Sequence, residues 1–234
     1  LRKTVLRLPA VLGLSVEDNM APKLDWLQTR LDLDDLGLRK MVLAFPALLT
    51  YSVEDNLAPT LEWLQTRLDL DESGLRKMVL VRPQLLGYSV EDNLAPKLEW
   101  LRKRLDLDDA GLRKLVLGRP QLLGLSVKDN LAPTLDWLQT RLDLDEAELK
   151  KMVVALPSLL GYSVEANMEP KLCFFEEELG LSPSEVRASI ISTPARLGYS
   201  LKTRYRPRLE VCRAVGADVS IVLRGAYQTD AAFC

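Results

Sequence analysis

Apolar residues along this chain return at the spacing of α-helices. Within residues 34–70, one apolar series follows the i, i+3, i+4, i+7 pattern that places side chains on a single helical face: Leu38, Met41, Val42 and Phe45. A second series with helical spacing follows after a short gap: Val53, Leu57, Leu61, Leu64 and Leu68. We therefore predict two short helices in this segment, each with one buried face.

The whole pattern repeats every 37 residues. One series of prolines keeps this period without an insertion, at Pro9, Pro46, Pro83, Pro120, Pro157 and Pro194, and a second runs through Pro22, Pro59, Pro96, Pro133, Pro170 and Pro207. Residues 52–72 and 126–146 differ at only two positions, which indicates recent internal duplication. A two-helix unit is too small to bury its own apolar surface, so it has to stack on its neighbours. The sequence therefore predicts an all-α helical-repeat solenoid, a superhelix of units that contain two helices and a 3₁₀ turn.

The first helix of each unit has start and stop signals. In the unit 34–70, Asp34 or Asp35 can cap the helix at its N-terminus. Pro46 should end it, because the residue before a proline avoids the α region. We expect the apolar residues 47–49 to form a short 3₁₀ connector.

The second helix has a cap and an internal proline. Ser52 can accept a hydrogen bond from the first turn, with Asp55 at the third position of a loose capping box. Pro59 lies inside the helix and has no amide proton, so it should bend the helix or delay its regular start.

Residues 1–234 are interpreted as a single array of six repeats. Leu1 aligns with Leu38, so the first repeat is expected to start inside its first helix, truncated and without a cap. Residues 213–234 are expected to form a C-terminal cap or tail. No apolar run approaches the roughly 18 residues that span a bilayer, so no membrane partner is predicted.

Known catalytic and metal-binding patterns are absent from the sequence. There is no histidine, which removes the commonest general base and the commonest metal ligand. No glycine-rich phosphate loop, Cys-x-x-Cys pair or Gly-x-Ser-x-Gly elbow occurs, and aspartate clusters such as residues 32–35 suit helix capping better than calcium binding. Cys173 and Cys212 are interpreted as apolar fillers of the core. We predict a non-enzymatic binding protein without a metal or cofactor.

The net charge of −2 conceals a basic C-terminal region. Residues 194–224 hold seven Lys and Arg residues against two acidic ones, a balance of +5, which leaves −6 on residues 1–193 once Asp230 is counted. In the last repeat, Lys202, Thr203 and Arg204 stand where the other repeats have mostly Glu, Asp and Asn. Because two acidic positions are lost and two basic side chains are gained, this segment favours a binding role.

Basic residues also recur at the repeat period. Stacked repeats would align them into rows on the second helices, which include Lys97, Arg104 and Lys171, and on the first helices, which include the pairs Arg76–Lys77 and Arg113–Lys114. These rows could bind phosphate groups, or they could be solvated faces that pair with the abundant Asp and Glu. Trp26, Trp63, Trp100 and Trp137 form a further row, which could pack between repeats or stack on bases.

The repeat resembles that of the mitochondrial transcription termination factor (mTERF) family. The resemblance rests on the pattern P-x-L-L-G-Y-S-V-E-x-N-L-x-P-K-L-x-W-L, which starts at Pro83, and on the basic closing segment 201–209. It covers essentially the whole chain. It implies a curved helical superhelix that binds nucleic acid and acts in organelle gene expression, in a mitochondrion or a chloroplast.

Three functions remain open on the sequence. The first is a regulator of transcription or its termination that binds double-stranded DNA. The second is binding of structured RNA in RNA processing or ribosome assembly, and the third is a protein scaffold whose acidic face docks a basic partner. The chain is expected to act as a monomer and to bind DNA in preference to RNA. The candidate nucleic-acid contacts are Arg76, Lys77, Lys97, Arg104, Arg113, Lys114, Lys171, Arg196, Lys202, Arg204, Arg206 and Arg208.

Overall fold

The computed structural model describes residues 9–224, and within that range every regular element is a helix. The truncated first helix predicted for residues 1–8 and the tail beyond residue 224 lie outside the described residues. The predicted all-α helical-repeat solenoid is confirmed. The chain divides into two compact units, residues 1–125 and residues 126–234.

The first helices end where the sequence predicts. They span Asp35–Ala44, Glu72–Val81, Asp109–Gly118, Glu146–Ala155 and Pro183–Ser192. In the first of these, the Asp34 carboxylate accepts a hydrogen bond from the amide of Gly37 at 2.7 Å, which satisfies one of the free amides of the first turn. The following proline starts a 3₁₀ segment in every repeat: Pro9–Gly13, Pro46–Thr50, Pro83–Gly87, Pro120–Gly124, Pro157–Gly161 and Pro194–Gly198.

Each second helix begins with a wide π-helical turn. These turns span Val16–Met20, Val53–Leu57, Val90–Leu94, Val127–Leu131, Val164–Met168 and Leu201–Tyr205. The α-helical parts follow as Ala21–Arg30, Ala58–Arg67, Ala95–Arg104, Ala132–Arg141, Glu169–Cys173 and Arg206–Val215, with a π turn Phe174–Glu178 after the fifth and a last short helix Ile221–Arg224.

The internal proline explains the wide turn. Pro59 is the second α-helical residue, and the amide of Ala58 reaches back to the Val53 carbonyl, five residues earlier. A proline at this place lacks the amide that an α-helical turn would need, so the chain widens first and becomes regular afterwards. Pro59 therefore delays the regular start of the helix, which is one of the two outcomes predicted from the sequence.

The cap of the second helix differs in one detail from the prediction. The Ser52 hydroxyl accepts a hydrogen bond from the Asp55 amide at 3.0 Å, as a cap should. The Ser52 amide in turn donates to Oδ1 of the Asn56 side chain at 3.3 Å, and Asp55 takes no part in this bond. The wider turn brings Asn56, the fourth residue after Ser52, back to the cap, and it leaves Asp55 exposed to solvent.

Leucines form a continuous core between neighbouring repeats within each unit. In the first unit, the 3₁₀ segments at Pro46, Pro83 and Pro120 pack in a row, and Leu48, Leu85 and Leu122 in them are fully buried. The π turn Val53–Leu57 packs on the 3₁₀ segment of the next repeat. Each repeat thus buries its apolar face against the next one, as a solenoid requires.

Candidate nucleic-acid interface

Arginines of the first helices pair with the preceding repeats. Arg76 donates from Nη1 to the Asp32 carboxylate at 2.6 Å and to the Asp32 carbonyl at 2.8 Å. Arg113 makes the same two contacts with Asp69, at 2.9 Å to the carboxylate and 3.1 Å to the carbonyl. In the second unit, Arg187 contacts the Asp143 carbonyl at 3.1 Å. These arginines therefore bridge repeats.

The aspartates in these bridges have a left-handed backbone. Asp32, Asp69 and Asp143 have φ angles of 46° to 48°, a region in which aspartate is one of the few residues other than glycine that occur regularly. They follow the last turn of a second helix, whose carbonyls lack partners within the helix. An arginine from another repeat supplies a donor to this turn, which accounts for the regular contact.

Arginines near the ends of the second helices also pair with acids. Arg30 lies 2.7 Å from Glu72, and Arg67 lies 3.2 Å from Asp109. Arg141 is half-buried and contacts two carboxylates, Glu176 at 2.8 Å and Glu169 at 3.1 Å. Hydrogen bonding to Glu176 holds the pKa of Arg141 above its ordinary value. Arg104, in the same row, is half-buried and also has a partner.

One basic row of the second helices is buried. Lys97 is 7 % exposed, Lys171 is 3 % exposed and Arg208 is 3 % exposed, so none of them lies on an accessible surface. Lys97 and Lys171 donate instead to the next repeat, and burial lowers the pKa of both amines. These three candidates from the sequence are therefore not part of the surface that we propose below.

The C-terminal basic cluster is split between solvent and the protein. Lys202 is exposed and has no ion-pair partner among residues 9–224. Arg204 stacks on the Tyr199 ring at 4.6 Å, and Arg206 pairs with Glu178 at 2.9 Å. Arg196 donates to the Leu223 carbonyl at 3.3 Å, and its burial lowers the pKa of the guanidinium. The arginines of this cluster thus contact other parts of the protein. Among the described residues of the cluster, Lys202 alone is both exposed and without a partner.

A row of lysines remains free on the first helices. Each follows the bridging position directly, is exposed and makes no ion pair within the described part of the chain: Lys40, Lys77 and Lys114 in the first unit, and Lys151 at the equivalent position in the second. Successive residues differ by about 100° around a helix, so a lysine next to a bridging arginine points away from the neighbouring repeat. Lys77 and Lys114 were candidates from the sequence, and Lys40 and Lys151 extend them by the 37-residue period.

The tryptophan row is half-buried in all four repeats that carry it. Phe174, the next residue in the row, is buried against Phe175 and Tyr205, with ring centroids 5.9 Å apart in both contacts. The row therefore contributes to packing while the tryptophan rings keep part of their surface in solvent.

Carboxylates line grooves between the second helices of the first unit. A groove of about 510 Å³ lies between the first two repeats and is bordered by Asp18 and Glu54, with Lys23 and Trp26 in its wall. A second groove of about 310 Å³ lies one repeat further on, bordered by Asp55 and Glu91. These carboxylates form no ion pairs within residues 9–224, so the acidic face predicted from the sequence is solvated.

Neither a membrane-crossing helix nor a metal cluster occurs in residues 9–224. No helix in this range is long and apolar enough to cross a membrane. No group of three or more Cys, Asp and Glu side chains in the same range is placed to hold a metal ion. Cys212 is buried as predicted, whereas Cys173 is only half-buried and lies 3.4 Å from Glu169.

The phased repeats, the 3₁₀ segments and the wide second-helix turns agree with a family model. The mTERF family model matches residues 62–224, which is more than half of the chain. The chain belongs to the mTERF family. This family consists of nucleic-acid-binding repeat proteins that are generally organellar, have transcription-related roles and are not generally enzymes. No curated protein matches the chain.

Proposed function

We propose that this mTERF protein binds double-stranded DNA in a mitochondrion or a chloroplast and regulates transcription or its termination there. The supporting observation is the row of free lysines on the first helices, Lys40, Lys77 and Lys114 in the first unit. Arg76 and Arg113, beside Lys77 and Lys114, are each paired with an aspartate, so in these two repeats the lysine is the charge that a polyanion would meet first.

The row suits a phosphate backbone for a geometric reason. Packed helices lie roughly 8–10 Å apart, so consecutive lysines recur at about that spacing along the stacked repeats. A lysine is a flexible point charge, and it can reach a phosphate without a fixed orientation. Contacts of this kind carry no base information, so the protein would bind duplexes of different sequence with similar affinity unless other residues read the bases.

Titration of the purified chain with a DNA duplex and an RNA hairpin of equal length, at several salt concentrations, tests this function. Replacing Lys40, Lys77 and Lys114 by Gln should weaken DNA binding. It should also flatten the log–log salt dependence by about 0.9 per lost contact, or roughly 2–3 units for all three. The matched single-site control is Lys103→Gln against Lys77→Gln, because Lys103 lies in the same unit and already pairs with Glu99 at 3.4 Å.

The outcomes separate the candidate functions. Tighter binding of the RNA hairpin would favour the RNA function, and an unchanged salt slope in the triple variant would remove the lysine row from the interface. A basic peptide in the same assay covers a protein partner, a function that the solvated carboxylates at Glu17, Glu54 and Glu91 favour. Binding of the peptide alone would overturn the nucleic-acid function.

A further inference from the structure

Lysines on alternate second helices share one kind of buried ammonium site. Lys97 donates from Nζ to the Asn93 side chain at 3.0 Å and to the Leu123 carbonyl of the next repeat at 2.5 Å. Its Nζ lies 5.9 Å from the centre of the Tyr88 ring. Two other lysines make the same amide and carbonyl contacts: Lys23 with Asn19 and Leu49, and Lys171 with Asn167 and Leu197.

The second and fourth repeats have threonine at this position. Thr60 and Thr134 are too short to bridge to the next repeat, and neither makes such a bond within residues 9–224. The neighbouring asparagines are turned accordingly. Oδ1 of Asn56 accepts a hydrogen bond at 3.3 Å from the amide of Ser52, the residue that caps the same helix, and Asn130 does the same with Ser126. Both kinds of repeat thus have the asparagine. Its side-chain oxygen accepts from the lysine where one is present and from the serine amide where threonine replaces the lysine.

In the second repeat, where Thr60 replaces the lysine, the residues equivalent to those around the Lys97 ammonium line a groove. The groove of about 310 Å³ between the second and third repeats is bordered by Tyr51, Asn56, Thr60 and Leu86. Tyr51 and Asn56 correspond to Tyr88 and Asn93 by the 37-residue period, and Leu86 corresponds to Leu123. Asp55 and Glu91 stand at the border of the same groove.

We propose that this groove binds a primary alkylammonium group in the position that Lys97 fills one repeat later. The ammonium would donate to the Asn56 side chain and the Leu86 carbonyl and lie against the face of Tyr51. An alkyl chain would follow the path of the lysine methylenes beside Thr60.

The composition of the groove selects for this chemistry. Bonds from an ammonium to neutral oxygens are charge-assisted and stronger than those between neutral groups. The Tyr51 ring attracts a cation to its face, and an alkyl chain covers apolar wall that a bare metal ion would leave uncovered. Asp55 and Glu91 add a favourable potential at the entrance. A neutral alcohol of the same length lacks the charge and should bind much less.

Amide chemical shifts of the folded chain during titration with n-butylamine measure the site directly. Residues 51–60 and 86–88 should shift, and n-butanol should produce no comparable change. The variant Thr60→Lys supplies an internal ammonium, so it should abolish the response at these residues while residues 23 and 97 remain unaffected. Shifts that persist in Thr60→Lys, or that appear equally with butanol, would overturn the site, as would the absence of any shift in the unaltered chain.

The converse variant tests the same site without relying on Thr60. Lys97→Thr converts the third repeat to the threonine type and should lower the thermal midpoint, because it removes the bridge to Leu123. Added n-butylamine should recover part of that loss in Lys97→Thr, whereas n-butanol and an equal concentration of sodium chloride should not. Equal recovery with the salt or the alcohol would contradict the proposal.

Two sources could present the group, and separate titrations distinguish them. A polyamine such as spermidine offers free ammonium groups, and a lysine-rich peptide offers lysine side chains from a partner protein. If the groove binds one of these two ligands, Thr60→Lys should abolish the binding of that ligand. If Thr60→Lys abolishes the binding of neither, the site has no role in recognising them. None of these measurements involves nucleic acid, so failure here is distinguishable from failure of the proposed DNA binding.

Discussion

Arg76 and Lys77 are neighbours in one helix but lie in different surroundings. Arg76 faces the preceding repeats and joins the Asp32 turn through two contacts, whereas Lys77 is exposed and has no ion-pair partner within residues 9–224. The same division recurs at Arg113 and Lys114. A planar guanidinium can hold a carboxylate and a carbonyl in fixed directions, and a lysine cannot do this as well. On these two first helices the arginine thus joins repeats, while the adjacent lysine stays exposed.

The largest effect on stability is expected at Arg141. Arg141→Gln removes contacts to Glu169 and Glu176 and leaves two partly buried carboxylates without their cation. We expect the free energy of unfolding to fall by about 2 kcal/mol, between the values for exposed and buried pairs. Urea denaturation measures this, with Lys151→Gln as the control in the same unit. A loss no larger than that of the control would show that the pair contributes nothing.

A smaller effect is expected at the Arg76–Lys77 pair itself. Arg76→Gln should lower the free energy of unfolding by about 1 kcal/mol, because the exposed ion pair is weak but the Asp32 carbonyl also loses its donor. Lys77→Gln should leave stability unchanged and weaken nucleic-acid binding. Denaturation and DNA titration of both variants test the division of tasks directly, and an exchange of the two results would refute it.

Buried and exposed lysines should also differ in their response to pH. Burial lowers the pKa of Lys171 from 10.5 to about 8, so between these values the unfolded chain binds more protons at this residue than the folded chain does. Raising the pH through this window should therefore stabilise the folded protein by up to about 1 kcal/mol per pH unit, relative to Lys171→Thr. Denaturation of both proteins between pH about 7 and about 10 tests this, and a constant difference would contradict it.

The smallest effect is expected at Asp69. Asp69→Asn keeps a side chain that tolerates the left-handed backbone but removes the charge opposite Arg113. The loss of stability should be about 0.5 kcal/mol or less, as for other exposed pairs. The released guanidinium should raise affinity for DNA slightly, and unchanged or weaker binding would show that Arg113 cannot reach a ligand.

Local signals in the sequence predicted the elements well. The helix stop at Pro46, the caps at Asp34 and Ser52 and the 3₁₀ connector were all predicted. They could be predicted because each depends only on residues within one or two helical turns. The site was harder to predict. A helical wheel places Lys97 on the basic flank of its helix, but whether that flank meets solvent or the carbonyl of Leu123 depends on how repeats stack.

The availability of charge also depends on contacts between distant residues. The bridge from Arg76 to Asp32 joins residues 44 positions apart, a separation that no local pattern encodes. Lys40 and Lys151 occupy the same place in the 37-residue period as Lys77 and Lys114, so the sequence alone identifies them as members of the same basic series. The proposed DNA contacts at Lys40, Lys77 and Lys114 stay a prediction.

The near-identity of residues 52–72 and 126–146 has a consequence for refolding kinetics. The turn Val53–Leu57 packs on the 3₁₀ segment at Pro83, and the nearly identical turn Val127–Leu131 packs on the one at Pro157. During folding, either turn can therefore dock on the other's partner, within one chain or between two chains. Such misassembly is the characteristic error of repeat proteins. We expect refolding to show a slow phase that grows with protein concentration, as mispaired chains separate before the native neighbours meet.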